Sequence, residues 1–213
     1  MLSLSNEFDG KDFLEFLVFA EEKSVLSSKF ESLIKIDYFN MFGNNKKLLD
    51  IYNEFKSGTN RYNNKLKDAT KIKRLEQLRI LYDSMPNDRL PFMEQLITEE
   101  EILGYMQLTI PDISKKYVYV MTLDTKYAPR IQAYCLANGK QQSLKIYRKI
   151  YDNNPFGGGE ILFCKSFKQK AATKFVNGEY VNSEDEFTWW LEDYIVVSEE
   201  EFNNMLKEKD NGK

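Results

Sequence analysis

Between residues 117 and 168, aromatic and cationic side chains alternate with aliphatic ones at a spacing of two. At that spacing successive residues of a β-strand point to opposite faces of a sheet. With Val118, Val120, Ile131, Ala133, Cys135, Leu144 and Ile146 turned inward, the outer face collects Tyr119, Arg130, Tyr134, Lys145, Tyr147 and Lys149. If the following strand keeps the same sense, Lys165 and Phe167 join them. Rings interleaved with cations suit single-stranded nucleic acid, because bases stack on the rings while Lys and Arg follow the phosphates. A sheet that uses Tyr for cross-strand packing and Lys to protect its edges has the same composition. The coincidence of charge and rings on one face favours nucleic acid. A one-residue slip of register would send these side chains into the core.

Other chemistry is harder to assemble. The 213 residues include no histidine and two cysteines, which removes Ser-His and Cys-His nucleophile pairs, histidine metal ligands and a four-cysteine zinc site. Cys135 and Cys164 lie in apolar, strand-like runs and read as small buried hydrophobes of a reducing compartment. Gly157, Gly158 and Gly159 are followed by Glu160 and a strand, where a phosphate loop needs Lys-Ser/Thr and a helix. Acidic clusters at residues 99–101, 184–186 and 199–201 stand at expected helix starts or loops, where solvated and capping roles suit them better than holding a metal. The reading is a protein that binds without catalysing, with no metal and no cofactor. No apolar run approaches the roughly 18 residues of a membrane span. The first residues lack a basic stretch and turn acidic at once, so neither membrane nor secretion is expected and the location read is cytoplasmic.

The net charge of −3 conceals a strong division. Residues 44–80 carry 10 basic and 4 acidic groups, and residues 115–178 carry 12 and 3. Residues 179–213 carry 3 and 11. A basic block of domain size is the electrostatic footprint of a protein that meets phosphates, although surface lysines also serve solubility.

The elements that must position these groups follow from periodicity. Phe13, Phe16, Leu17 and Ala20 keep the i, i+3, i+4, i+7 spacing of an amphipathic helix. Further helical stretches cover residues 27–35, 46–55, 68–83 and 94–105, with Gly43 as a stop and Asn44 and Asn45 as caps. In the stretch 68–83, Ile72, Leu75, Leu78 and Leu81 or Tyr82 are expected inward. Helical patterning ends near residue 112, which divides a helical domain, 1–112, from a second domain, 113–213. There the expected strands are 117–121, 130–136, 143–149, 160–168 and 187–197, with Asn138-Gly139 and Asn177-Gly178 as tight turns whose residues take positive φ. Five strands with a break between the third and fourth match the OB-fold, a five-stranded Greek-key barrel. A short acidic helix capped by Ser198 closes the chain. The expected class is α+β.

The order of motifs resembles part of a known family. Phe13-Leu14-Glu15-Phe16, Phe30-Glu31-Ser32-Leu33-Ile34-Lys35, Tyr38-Phe39 and Phe42-Gly43-Asn44-Asn45-Lys46-Lys47-Leu48-Leu49 look like the end of the helix-hairpin-helix region of the bacterial family-C replicative polymerase, the DNA polymerase III α subunit. Glu99-Glu100-Glu101-Ile102-Leu103-Gly104-Tyr105-Met106, then Thr109-Ile110-Pro111, resembles the family's connector into its OB-fold, with Ile110 where the family has His. The resemblance spans residues 13–55 and 94–197 and includes no counterpart of the catalytic aspartates. It implies a free-standing, non-catalytic accessory fragment for DNA replication, with polymerase subunits among its partners. Gln77, Ile80 and Tyr82 occupy the interval where the family carries its sliding-clamp peptide. The alternative expectation is a phage or mobile-element protein that docks on a nucleic-acid enzyme, such as a CRISPR effector, and inhibits it.

Overall fold

The computed structural model describes residues 12–26 and 29–211. The protein is mixed α+β and divides into two compact units between Met106 and Gln107. The division falls ahead of residue 112 for a physical reason. Leu108 O accepts from the Tyr134 hydroxyl and the Ile110 amide donates to Leu136 O, so the segment after Met106 is tied to the sheet.

The first unit contains α1 (Phe13–Glu22), α2 (Phe30–Lys35), a 3₁₀ turn (Asn40–Phe42), α3 (Asn45–Ser57), α4 (Asp68–Ser84) and α5 (Phe92–Leu103). Helix α1 starts on a capping box, in which the Asp12 carboxylate accepts from the Glu15 amide and the Glu15 carboxylate accepts from the Asp12 amide. The expected apolar positions meet in an aromatic core: the Phe30 and Phe39 ring centroids are 4.9 Å apart, those of Phe16 and Phe39 5.3 Å. Gly43, at φ +142°, and Gly104, at φ +77°, adopt backbone that residues with a Cβ disfavour, and each ends a helical segment. The asparagines differ from expectation. Asn44 sits at the cap position, but its side chain donates to Asn87 O, while the buried Asn45 bonds Gln95 and the Leu90 amide. Ile72, expected inward, is exposed, and Leu78 and Tyr82 hold the buried side of α4. The expected helix start at residues 27 and 28 lies outside the described residues.

The second unit contains β1 (Tyr117–Asp124), β2 (Arg130–Cys135), β3 (Gln141–Ile146), α6 (Arg148–Asn153), β4 (Ile161–Val176), β5 (Glu179–Val197) and α7 (Glu199–Asn211). The strands close in the order β1-β2-β3-β5-β4, with β4 returning to β1; β3 and β5 are parallel and the other pairs antiparallel. Val118, Val120, Ile131, Ala133, Leu144, Ile146, Leu162, Cys164 and Leu191 fill the interior. One end, where β3 finishes, is closed by Ile150 and Tyr151 of α6 and by Phe156, whose ring meets Tyr194 edge-on at 5.2 Å. Helix α7 opens on the expected serine cap: Ser198 Oγ accepts from the Glu201 amide. Phe202 packs its ring against Tyr117 at 5.7 Å.

Three expectations about the strands are corrected. Strand β3 stops at Ile146, so Lys149 belongs to α6. Strands β4 and β5 continue far past 168 and start before 187, forming a two-stranded arm that turns at Asn177 and Gly178, φ +51° and +92°. The turn at Asn138-Gly139 is not of that kind. Only Gly139 takes a positive φ, and the loop closes through the Asn138 and Gly139 amides donating to Cys135 O. Among the described residues no helix is long and apolar enough to cross a membrane.

Candidate nucleic-acid interface

The register of the strands assembles a site on the outer surface of the second unit. Arg130 of β2 lies opposite Lys145 of β3, Lys145 opposite Trp190 of β5, and Trp190 opposite Lys168 of β4. Directly opposed residues share a face, so these four form one row across four neighbouring strands. Three inter-strand steps of about 4.8 Å make the row roughly 14 Å wide. Tyr147, which caps α6 and is two residues beyond Lys145, lays its ring beside that of Trp190, with centroids 4.6 Å apart and planes at 31°. Lys170, two residues after Lys168, places Nζ 4.7 Å from the Tyr147 ring centre and 5.1 Å from that of Trp190. Lys145 Nζ lies 5.6 Å from the same indole. The row continues on β1 to Asp124, which opposes Arg130.

Two half-buried rings therefore stand among four cations. Among the described residues none of Arg130, Lys145, Lys168 and Lys170 is in an ion pair. Burial, together with the positive charge of Arg130, pulls the Lys145 pKa below the ordinary lysine value of 10.5. Such a surface carries an electrostatic cost that an arriving anion relieves.

Of the residues expected on this face, Arg130, Lys145 and Tyr147 are in the cluster. Tyr119 and Tyr134 are not available. They oppose one another on β1 and β2 and are 6% and 0% exposed, Tyr134 held under Leu108 by its hydroxyl hydrogen bond of 2.9 Å. Alternation gave their face correctly, but the segment after Met106 covers Tyr134 there, and the Tyr119 hydroxyl lies beside Gly159. Lys149 is exposed on α6, outside the row. Lys165 is exposed but lies 3.4 Å from the Asp193 carboxylate, and Phe167 opposes the interior residue Leu191 and so turns inward. Irregularities in β4 between Cys164 and Phe167 shift the alternation. They put Lys168 and Lys170 on the face assigned to Lys165 and Phe167. Trp190 was visible as a strand residue, but without the partner of β5 its face was undetermined.

The other expected site does not form. Gln77 and Ile80 point outward from α4, whereas Tyr82 is buried with its hydroxyl on Phe42 O, so the three share no surface. The glycines of 157–159 form a turn into β4, in which the Gly159 amide donates to Val120 O. Of the acidic clusters, residues 99–101 lie inside α5 instead of at its start, residues 184–186 sit at an irregularity of β5 and residues 199–201 open α7.

Comparison of the chain with family models, curated proteins and solved structures finds no match.

Proposed function

We propose that the protein is a non-catalytic nucleic-acid-binding protein whose second unit is an OB-fold that holds single-stranded DNA or RNA on its outer face. The observation that carries this reading is the row Arg130-Lys145-Trp190-Lys168, with Tyr147 and Lys170 packed onto it. Its rings offer stacking surfaces and its cations, in no ion pair among the described residues, offer phosphate contacts, the two components of sequence-tolerant single-strand binding. The strand order, with a helix between the third and fourth strands, supports the OB-fold reading, since that fold presents nucleic acid to strands two and three. The resemblance to the accessory end of a replicative polymerase points the same way.

The test is fluorescence anisotropy of a labelled oligothymidylate and an oligouridylate titrated with the full chain at about 50 mM salt. Binding that weakens steeply with salt, and weakens further in Lys145→Ala with Tyr147→Ala, supports the reading. No binding to either oligomer overturns it and favours a protein partner for the same face.

A further inference from the structure

We propose that the open end of the barrel is a receptor for a single nucleobase, an inference that rests on the single-strand reading above and extends it to a second subsite. At the end opposite α6, where β3 begins, the barrel interior opens into a cavity of about 190 Å³. Val118, Ala133, Leu144 and Phe167 line it, with Lys115 and Lys140 at its rim. The arm of β4 and β5 rises from the same end. Phe167 opposes Leu191, Gln169 opposes Trp189 and Ala171 opposes Phe187, so Phe167, Trp189 and Phe187 share the inward face of the arm. Trp189 also lies opposite Leu144, a wall of the cavity. These rings are 39%, 37% and 56% exposed, and the register sets them in succession on one face from the cavity onto the arm.

Size and charge choose the occupant. Pockets that enclose a whole small molecule run to roughly 300–1,000 Å³, so this one holds a ring and leaves any attached group outside. Outside stand two exposed lysines, neither of them in an ion pair among the described residues. A flat ring joined to an anion is the chemistry of a nucleotide. The base stacks between Phe167 and Trp189, and the phosphates flanking it meet Lys115 and Lys140. An apolar peptide would cover the rings but leave those lysines unanswered.

Cys135 reports on this place. It lines the cavity and is half-buried, whereas Cys164 is buried in the interior with its thiol pushed up to about 12 by that burial, so only Cys135 reacts readily. The experiment measures iodoacetamide alkylation of Cys135 in the full chain, with and without saturating oligothymidylate, beside anisotropy of Phe167→Ala and Lys140→Ala. Expected are at least fivefold slower alkylation with the oligomer, loss of that protection in Phe167→Ala, and affinity weakened at least fivefold by the same substitution, the lower range of one stacked base. Lys140→Ala, at an exposed position, weakens binding without disturbing the fold. Full-affinity binding with unprotected Cys135 and neutral variants overturns the receptor and leaves the outer-face reading standing; no binding by the unmodified chain overturns both. Protection that rises with protein concentration alone, with dimers in light scattering, assigns the mouth to a second copy and overturns the proposal.

Discussion

Trp190 and Lys145 are 45 positions apart in the chain and become neighbours because β3 and β5 run parallel with these residues opposed. Replacing Trp190 or Tyr147 by Ala is expected to weaken oligonucleotide binding by roughly five- to 150-fold each, the range of a lost base stack, read by anisotropy. Tyr134→Ala is expected to behave differently. Its ring is fully buried, so the loss is stability, about 3–5 kcal/mol in denaturant unfolding, as for other large aromatic truncations. Lys145 gives the site a pH dependence. Its lowered pKa means that the fold disfavours its charged form, so its contribution to stability rises with pH between that lowered value and the ordinary 10.5. A bound phosphate favours the charged form and draws a proton onto it. Affinity is therefore expected to fall as pH climbs through the same window, and a Lys145→Met variant loses that component of the pH profile.

At the scale of elements, α1 shows how a local signal and a distant contact combine. Asp12 caps the helix and also meets the Arg79 guanidinium of α4. Partial burial alone would raise its pKa, but the Arg79 hydrogen bond, the Glu15 amide and the Arg79 charge outweigh it and hold the carboxyl below 3.8. The resulting stability is complete above the ordinary carboxylate value and is lost as pH falls through the lowered one. Asp12→Ala is expected to cost about 0.5–2 kcal/mol in thermal or denaturant unfolding at pH 7 and to flatten the acid limb of the stability profile. The arm poses a different question, because a lone two-stranded ribbon is only marginally stable in water. Its distal part adds nothing to the buried core of the barrel, which ends at Leu191 on β5 and Cys164 on β4. Excising residues 173–186 and closing the strands with Asn-Gly is expected to leave the melting temperature of the second unit nearly unchanged. Calorimetry checks it.

At the scale of the whole molecule, every side chain of the proposed interface belongs to the second unit, which has its own core. A fragment of residues 107–213 is expected to bind oligothymidylate as tightly as the full chain at moderate salt, and equal anisotropy titrations check it. The four cations of the outer-face row contribute about −3 to the slope of log affinity against log salt, about −0.7 for each phosphate neutralised on a single strand, and Lys115 and Lys140 add to it where the second subsite is filled. Each single Lys→Met change in the row should reduce the slope by about that amount.

Much of this was legible in the residues themselves. Helical spacing located α1, α3 and α4 because an amphipathic helix repeats its apolar face within a few residues, and the alternation from Tyr117 to Ile146 located three strands for the same local reason. Arg130, Lys145 and Tyr147 were on the predicted face because that alternation ran undisturbed through β2 and β3. Tertiary structure decided what alternation cannot carry. An irregularity of a few residues in β4 reversed the sides of its chain, bringing Lys168 and Lys170 outward and Phe167 inward. A segment contributed from before the sheet covered Tyr134, and a parallel partner supplied Trp190. Local periodicity records which side of its own strand a residue takes; only the packing of distant segments determines whether that side meets solvent and which residues stand beside it.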